Sequence, residues 1–148
     1  MRTAWLSAVL AFASFAQAGE PTWHLSFQLY SFHEHTTEAD LRNDTFGVGF
    51  MRRADDWLAG AGVFRNSLGR TAGYAYVGKQ WPIGSVLAGG IAGLTHRYNA
   101  NHGGLVPLAA VVVTIPLSDR LNLDLAGIPR VRHDIYTTLN VSISWRFR

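Results

Sequence analysis

Histidine is the side chain that ionises near neutral pH, and this sequence has six. A hydroxyl nucleophile needs a general base within hydrogen-bond reach. His33 is a candidate base. Ser67 is a candidate for the hydroxyl it activates, or for one that positions another attacking oxygen. Each also has a plain reading: His33 as a solvated loop histidine beside His35, and Ser67 as a turn residue beside Gly69. A second pairing, His24-Leu25-Ser26, puts a histidine and a serine on one face of an extended segment. His33-x-His35 alone is a weak metal signal, and no nucleotide-binding or P-loop motif occurs. With no cysteine, a thiol nucleophile, a thiolate zinc site and a disulfide scaffold are excluded.

The elements that must hold these residues are strands. Ile135, Thr137, Leu139, Val141, Ile143, Trp145 and Phe147 share one face, opposite Tyr136, Thr138, Asn140, Ser142, Ser144 and Arg146. Trp23, Leu25, Phe27 and Leu29 likewise oppose His24, Ser26, Gln28 and Tyr30. This period of two marks long strands. Polar or Gly/Pro breaks at Arg53–Asp56, Ser67–Arg70, Pro82–Ser85 and Leu117–Arg120 cut the rest. Eight strands result, near 22–33, 45–52, 57–66, 71–81, 86–97, 105–116, 121–129 and 135–147. Ahead of them, Arg2, the apolar run Trp5–Phe15 and Ala16-Gln17-Ala18 form a signal peptide with cleavage expected after Ala18. The apolar run is shorter than the roughly 20 residues that cross a bilayer as a helix.

An even number of strands about 9–11 residues long, with alternating long and short connections, is the pattern of an all-β, eight-stranded antiparallel transmembrane β-barrel. A soluble sandwich or lipocalin-like barrel alternates too, so periodicity does not say which face is outside. Trp23, Trp57, Trp81, Trp145 and Phe147 at the expected periplasmic strand ends favour an aromatic girdle and thus the membrane. The net charge of +3 comes from 13 basic residues scattered singly or in pairs, and no nucleic-acid partner is implied. The middle strands are apolar or glycine on both faces, as in Leu58, Gly60, Gly62 and Phe64. Two readings stay open: a lumen that holds a hydrocarbon chain, or one filled by bulky side chains from opposite strands.

An ordered set of short motifs resembles the PagP family of outer-membrane lipid A palmitoyltransferases. It comprises Phe32-His33, Phe64-Arg65-Asn66-Ser67, Gly73-Tyr74, Ala92-Gly93-Leu94-Thr95-His96-Arg97, Pro107-Leu108 and Ile128-Pro129, and spans most of the chain after Ala18. The resemblance implies a barrel that moves a palmitoyl-type chain from a glycerophospholipid to lipid A, as a monomer without cofactor or metal. It implies catalytic roles for His33, Asn66 and Ser67. Asn66 stands where the family has aspartate; an amide can fix the tautomer of the ring or donate to an oxyanion, but carries no charge. Tyr74 and Ala75 would form the pocket floor, where the family has Gly-Tyr-Gly. Arg97, with Arg130 and Arg132, would meet lipid A phosphates. Pro107 and Pro129, which donate no ladder hydrogen bond, would open a lateral gap in the wall. No proline marks the family's second gap, between the first two strands, and no helix fits before Trp23. Strict alternation from Tyr30 and Phe32 points His33 outward, so this reading requires a bulge, or a strand end, before it; His35 is the fallback base. The competing functions are a non-catalytic small barrel, a lipid A deacylase using His24 and Ser26, and a soluble lipid carrier.

Overall fold

The alternating segments form eight strands in a computed structural model that describes residues 20–33, 42–96, 104–129 and 137–148. The expected cleavage site and His35, Arg97, Arg130 and Arg132 lie outside the described residues. The strands are β1 (Thr22–His33), β2 (Gly47–Ala54), β3 (Trp57–Arg65), β4 (Thr71–Ile83), β5 (Val86–His96), β6 (Leu105–Pro116), β7 (Leu121–Ile128) and β8 (Thr138–Arg146). Each pairs antiparallel with its sequence neighbours, and β1 closes on β8. Closure leaves no unpaired edge, which hydrocarbon would make costly by several kcal/mol per orphaned backbone group.

Three tight connections lie at the end that carries both chain ends. Asp55-Asp56 is a two-residue turn with Asp55 at φ 51°, and Gly84-Ser85 is another with Gly84 at φ 61°. These left-handed conformations suit the twist of a hairpin. In the third, Ser118 Oγ accepts from Leu121 N at 3.1 Å. The main chain of Arg148 accepts from Trp23 N at 2.8 Å, so the C-terminus extends the β1 pairing at this end. Arg53 and Ala54, expected in a turn, belong to β2, which starts and ends two residues later than the sequence suggests.

Burial settles which face is outside. Trp23, Phe27, Phe50, Val63, Trp81, Leu94, Val111 and Trp145 are exposed. The largest fully buried side chains are all polar: Asn66, Thr45, Ser31 and Ser144. A soluble barrel would bury its apolar faces; this one turns them outward, as a lipid-facing wall requires. The five aromatics of the expected girdle are all exposed at the end that holds the termini.

One irregularity decides the site. β1 pairs with β8 from His24↔Arg146 to Gln28↔Ser142 and resumes at Tyr30↔Val141. Leu29 is therefore an extra residue, a β-bulge, and it shifts the inward parity of β1 from even to odd positions. Tyr30 and Phe32, inward by strict alternation, turn outside, while Ser31 and His33 turn into the lumen.

Candidate active site

His33 is the last residue of β1, and Thr138 is its direct register partner on β8. Cross-strand partners on one face bring their side chains together. The ring nitrogen Nδ1 lies 3.0 Å from Thr138 Oγ1. Nε2 lies 2.8 Å from Ser67 Oγ and 3.0 Å from Ser31 Oγ. The main chain of Arg42 also lies close to the His33 ring. With Nδ1 protonated, Nε2 accepts the Ser67 proton, which is the arrangement of a general base and its hydroxyl.

Ser67 is held by a turn between β3 and β4. Asn66 Oδ1 accepts from Leu68 N at 3.1 Å and from Arg70 N at 2.9 Å. Asn66 N donates to Arg70 O, and Gly69, at φ 74°, donates to Asn66 O, each at 2.8 Å. Asn66 is wholly buried. Its carbonyl oxygen thus builds the turn that presents Ser67. The expectation that Asn66 fixes the imidazole tautomer is corrected: the hydroxyl on Nδ1 belongs to Thr138. The segment after the first connection pins the same region. Arg42 N donates to Ser67 O at 2.9 Å, and Ser31 N donates to Asn43 O at 2.8 Å. Arg42 also pairs with Asp44 at 2.7 Å, and this hydrogen bond holds the Asp44 carboxyl below the usual carboxylate range.

Below the His33–Ser67 pair lies a cavity of about 360 Å³, within the size range of ligand pockets. Phe64, Ile91, Val106, Leu108 and Val112 give it apolar walls. Tyr74 and Tyr76 project into it and stack, with ring centroids 6.0 Å apart and planes 6° apart. The strand glycines serve these rings. A Cβ on Gly60 would meet the Tyr76 ring at 2.5 Å, and one on Gly62 would meet the Tyr74 hydroxyl at 2.7 Å. Bulky side chains therefore occupy part of the lumen, and the cavity runs past them from His33 and Ser67 to Gln80, Thr114 and Asp124. Ala75 is exposed on the outer wall, opposite Ala61 and Leu94, so it is not the floor. Alternation along β4 excludes it once Tyr74 faces inward.

Towards the termini the lumen turns polar. Arg53 Nη2 donates to Gln80 Oε1 at 2.8 Å and reaches Thr114 Oγ1 at 3.3 Å. Thr114 Oγ1 in turn donates to Asp124 Oδ1 at 2.5 Å. This network makes the lower end of the cavity polar, since Gln80, Thr114 and Asp124 are among its lining residues. His24 is buried at that end, with Nε2 3.1 Å from Thr22 Oγ1, remote from the outer rim.

The wall is incompletely laced at the rim. Among the described residues, β1 pairs β2 from Thr22 to Gln28, and beyond Leu29 Ser31 N still donates to Asn43 O, ahead of β2. Among the described residues, the β6–β7 ladder runs from Val111↔Gly127 to Pro116↔Asn122, short of the rim end of β6, where Leu105–Ala110 pair with β5. Pro107 lines the cavity within that stretch. Pro129 comes just after the end of β7, is exposed and is not among the lining residues, so it marks a strand end.

Ser31, Thr138 and Tyr76 were not singled out from the sequence. Ser31 and Thr138 carry ordinary strand residue types, and only the Leu29 bulge and the β1–β8 register reveal them.

No family model and no curated protein sequence matches the chain. Solved structures do. A de novo designed transmembrane β-barrel aligns with TM-score 0.60 and 14% identity over 88% of this chain and 99% of its own. The Yersinia pestis outer-membrane protein Ail aligns with TM-score 0.53 and 13% identity, covering 86% and 100%. The N-terminal barrel domain of Pseudomonas aeruginosa OprF gives TM-score 0.53 and 10% identity, covering 88% and 100%. The fold is thus that of the small eight-stranded transmembrane barrels.

Proposed function

We propose that this chain is an outer-membrane acyltransferase that moves a fatty acyl chain from a glycerophospholipid to lipid A. The observation that carries the reading is the 2.8 Å approach of Ser67 Oγ to His33 Nε2 at the mouth of an apolar cavity. The pair sits at the end opposite the termini, which in barrels with periplasmic termini faces the outer leaflet. The β6–β7 ladder, which among the described residues stops short of the rim, offers a lateral route for lipid chains.

In this mechanism the donor acyl chain lies in the cavity with its ester carbonyl at the rim. Ser67 Oγ attacks that carbonyl and its proton passes to His33 Nε2. Collapse of the tetrahedral adduct breaks the ester bond, and His33 returns the proton to the departing lysophospholipid oxygen. A lipid A hydroxyl then attacks the acyl-Ser67 ester. His33 takes that hydroxyl's proton and returns it to Ser67 Oγ. Atoms and charge balance without a cofactor. The likeness to Ail and OprF is compatible with a non-catalytic barrel, which needs no such pairing.

The test is transfer of a radiolabelled acyl chain from phosphatidylcholine to lipid A by the purified barrel in detergent micelles. Native protein is expected to label lipid A, and Ser67→Ala and His33→Ala to fall to background while still folded. Equal labelling by all three, or none by native protein, contradicts the reading.

A further inference from the structure

We propose that Thr138 is a positioning residue that selects the basic nitrogen of His33, the task a carboxylate performs in the familiar serine–histidine–aspartate arrangement. The inference rests on the acyl-transfer reading for its kinetic consequence, though not for its structural one. A neutral imidazole has one N–H and one acceptor nitrogen, and the partner of the N–H decides which is which. Ser67 needs the acceptor at Nε2, so the hydrogen must sit on Nδ1. Thr138 Oγ1 is 3.0 Å from that nitrogen.

Its placement is built into the sheet. His33 and Thr138 are register partners; Thr138 faces inward by the alternation of β8, and His33 joins it because Leu29 resets the parity of β1. Ser31, 3.0 Å from Nε2, gains its orientation from the same bulge. Its hydroxyl or that of Ser67 donates to Nε2 only when that nitrogen carries no hydrogen. Nε2 has one lone pair, so one of these hydroxyls donates to it fully at a time, and Thr138 Oγ1 is then the side-chain acceptor for the hydrogen on Nδ1. The Arg42 main chain close to the ring is the competing acceptor for the N–H. Since a neutral hydroxyl stabilises an imidazolium less than a carboxylate does, Thr138 orients the ring more than it strengthens the base.

The test uses the full barrel in micelles with ring-15N histidine, at a pH where the ring is neutral, with His33 assigned by its loss in His33→Asn. The native ring is expected to show its N–H on Nδ1. Thr138→Val, which keeps the β-branched shape of a strand residue and deletes the hydroxyl, should move hydrogen towards Nε2. It should also lower kcat about tenfold to a hundredfold with KM little changed, a part of the range general-base catalysis supplies. Thr138→Ser should restore both. A native ring protonated on Nε2 overturns the proposal without any variant. So does a Thr138→Val barrel that keeps its Nδ1 hydrogen and its kcat while Ser67→Ala is inactive. Should Ser67→Ala and His33→Ala transfer normally, the acyl-transfer reading falls, and the 15N spectra still decide the role of Thr138.

Discussion

Replacing Asn66 by alanine deletes one carbonyl oxygen that accepts two backbone hydrogen bonds, at 3.1 Å from Leu68 N and 2.9 Å from Arg70 N. A buried donor left without a partner costs about 1–3 kcal/mol. Leu68 is half-buried and Arg70 is exposed, so the freed N–H groups can reach water, and the low end applies. About 2 kcal/mol in total is expected, read as a lower urea midpoint for the barrel in micelles with an unchanged slope. The larger effect falls on activity. Without this staple the turn relaxes, and Ser67 leaves its 2.8 Å contact with His33. A misplacement of about 1 Å can cost a hundredfold in rate. Asn66→Asp keeps an oxygen acceptor for both N–H groups, so it should retain far more transfer than Asn66→Ala. An Asn66→Ala barrel with native stability but no activity would refute the turn-building role and return Asn66 to the chemistry itself.

Ala75→Leu, on the outer wall, should leave the profile of accepted acyl chain lengths unchanged. Gly60→Ala, whose Cβ would come within 2.5 Å of the Tyr76 ring, should alter that profile when chains of graded length compete. Asp124→Ala removes the anionic member of the network that reaches half-buried Arg53 through Thr114, and should cost about 1–3 kcal/mol in urea unfolding. Arg53→Met combined with Asp124→Leu should recover most of that loss. In the Asp55-Asp56 turn, the hydrogen bond from Lys79 holds the Asp56 carboxyl below its usual range. The stability it contributes is present above the unfolded carboxylate pKa and is lost as pH falls through the depressed folded value. Lys79→Gln should therefore flatten the acid side of the stability profile.

The strands are legible because each has an apolar face at a period of two, bounded by turns such as Gly84-Ser85. Which face meets lipid is not, since alternation is symmetric; buried Ser31 and Ser144 against exposed Trp145 and Phe32 resolve it. His33 and Ser67 stand out through the motif resemblance, since their residue types recur along the chain, and the structure brings them together. Their meeting depends on one extra residue, Leu29, whose bulge has no distinctive composition. Arg53 reads as part of a polar turn, because a charge destined for a lumen partner looks locally like a loop charge. Ala75 reads as a floor residue because motif matching ignores parity, and parity puts Tyr74 and Tyr76 inside. Thr138 is invisible in the sequence because its importance lies in what stands opposite it.

Mass spectrometry of lipid A from cells expressing the native chain, Ser67→Ala and His33→Ala at matched levels of folded barrel tests the central claim most directly. Lipid A heavier by one acyl chain in the native strain alone is the expected result. Unchanged lipid A in all three strains would contradict the account and favour a non-catalytic barrel, and lighter lipid A in the native strain would point to deacylation instead.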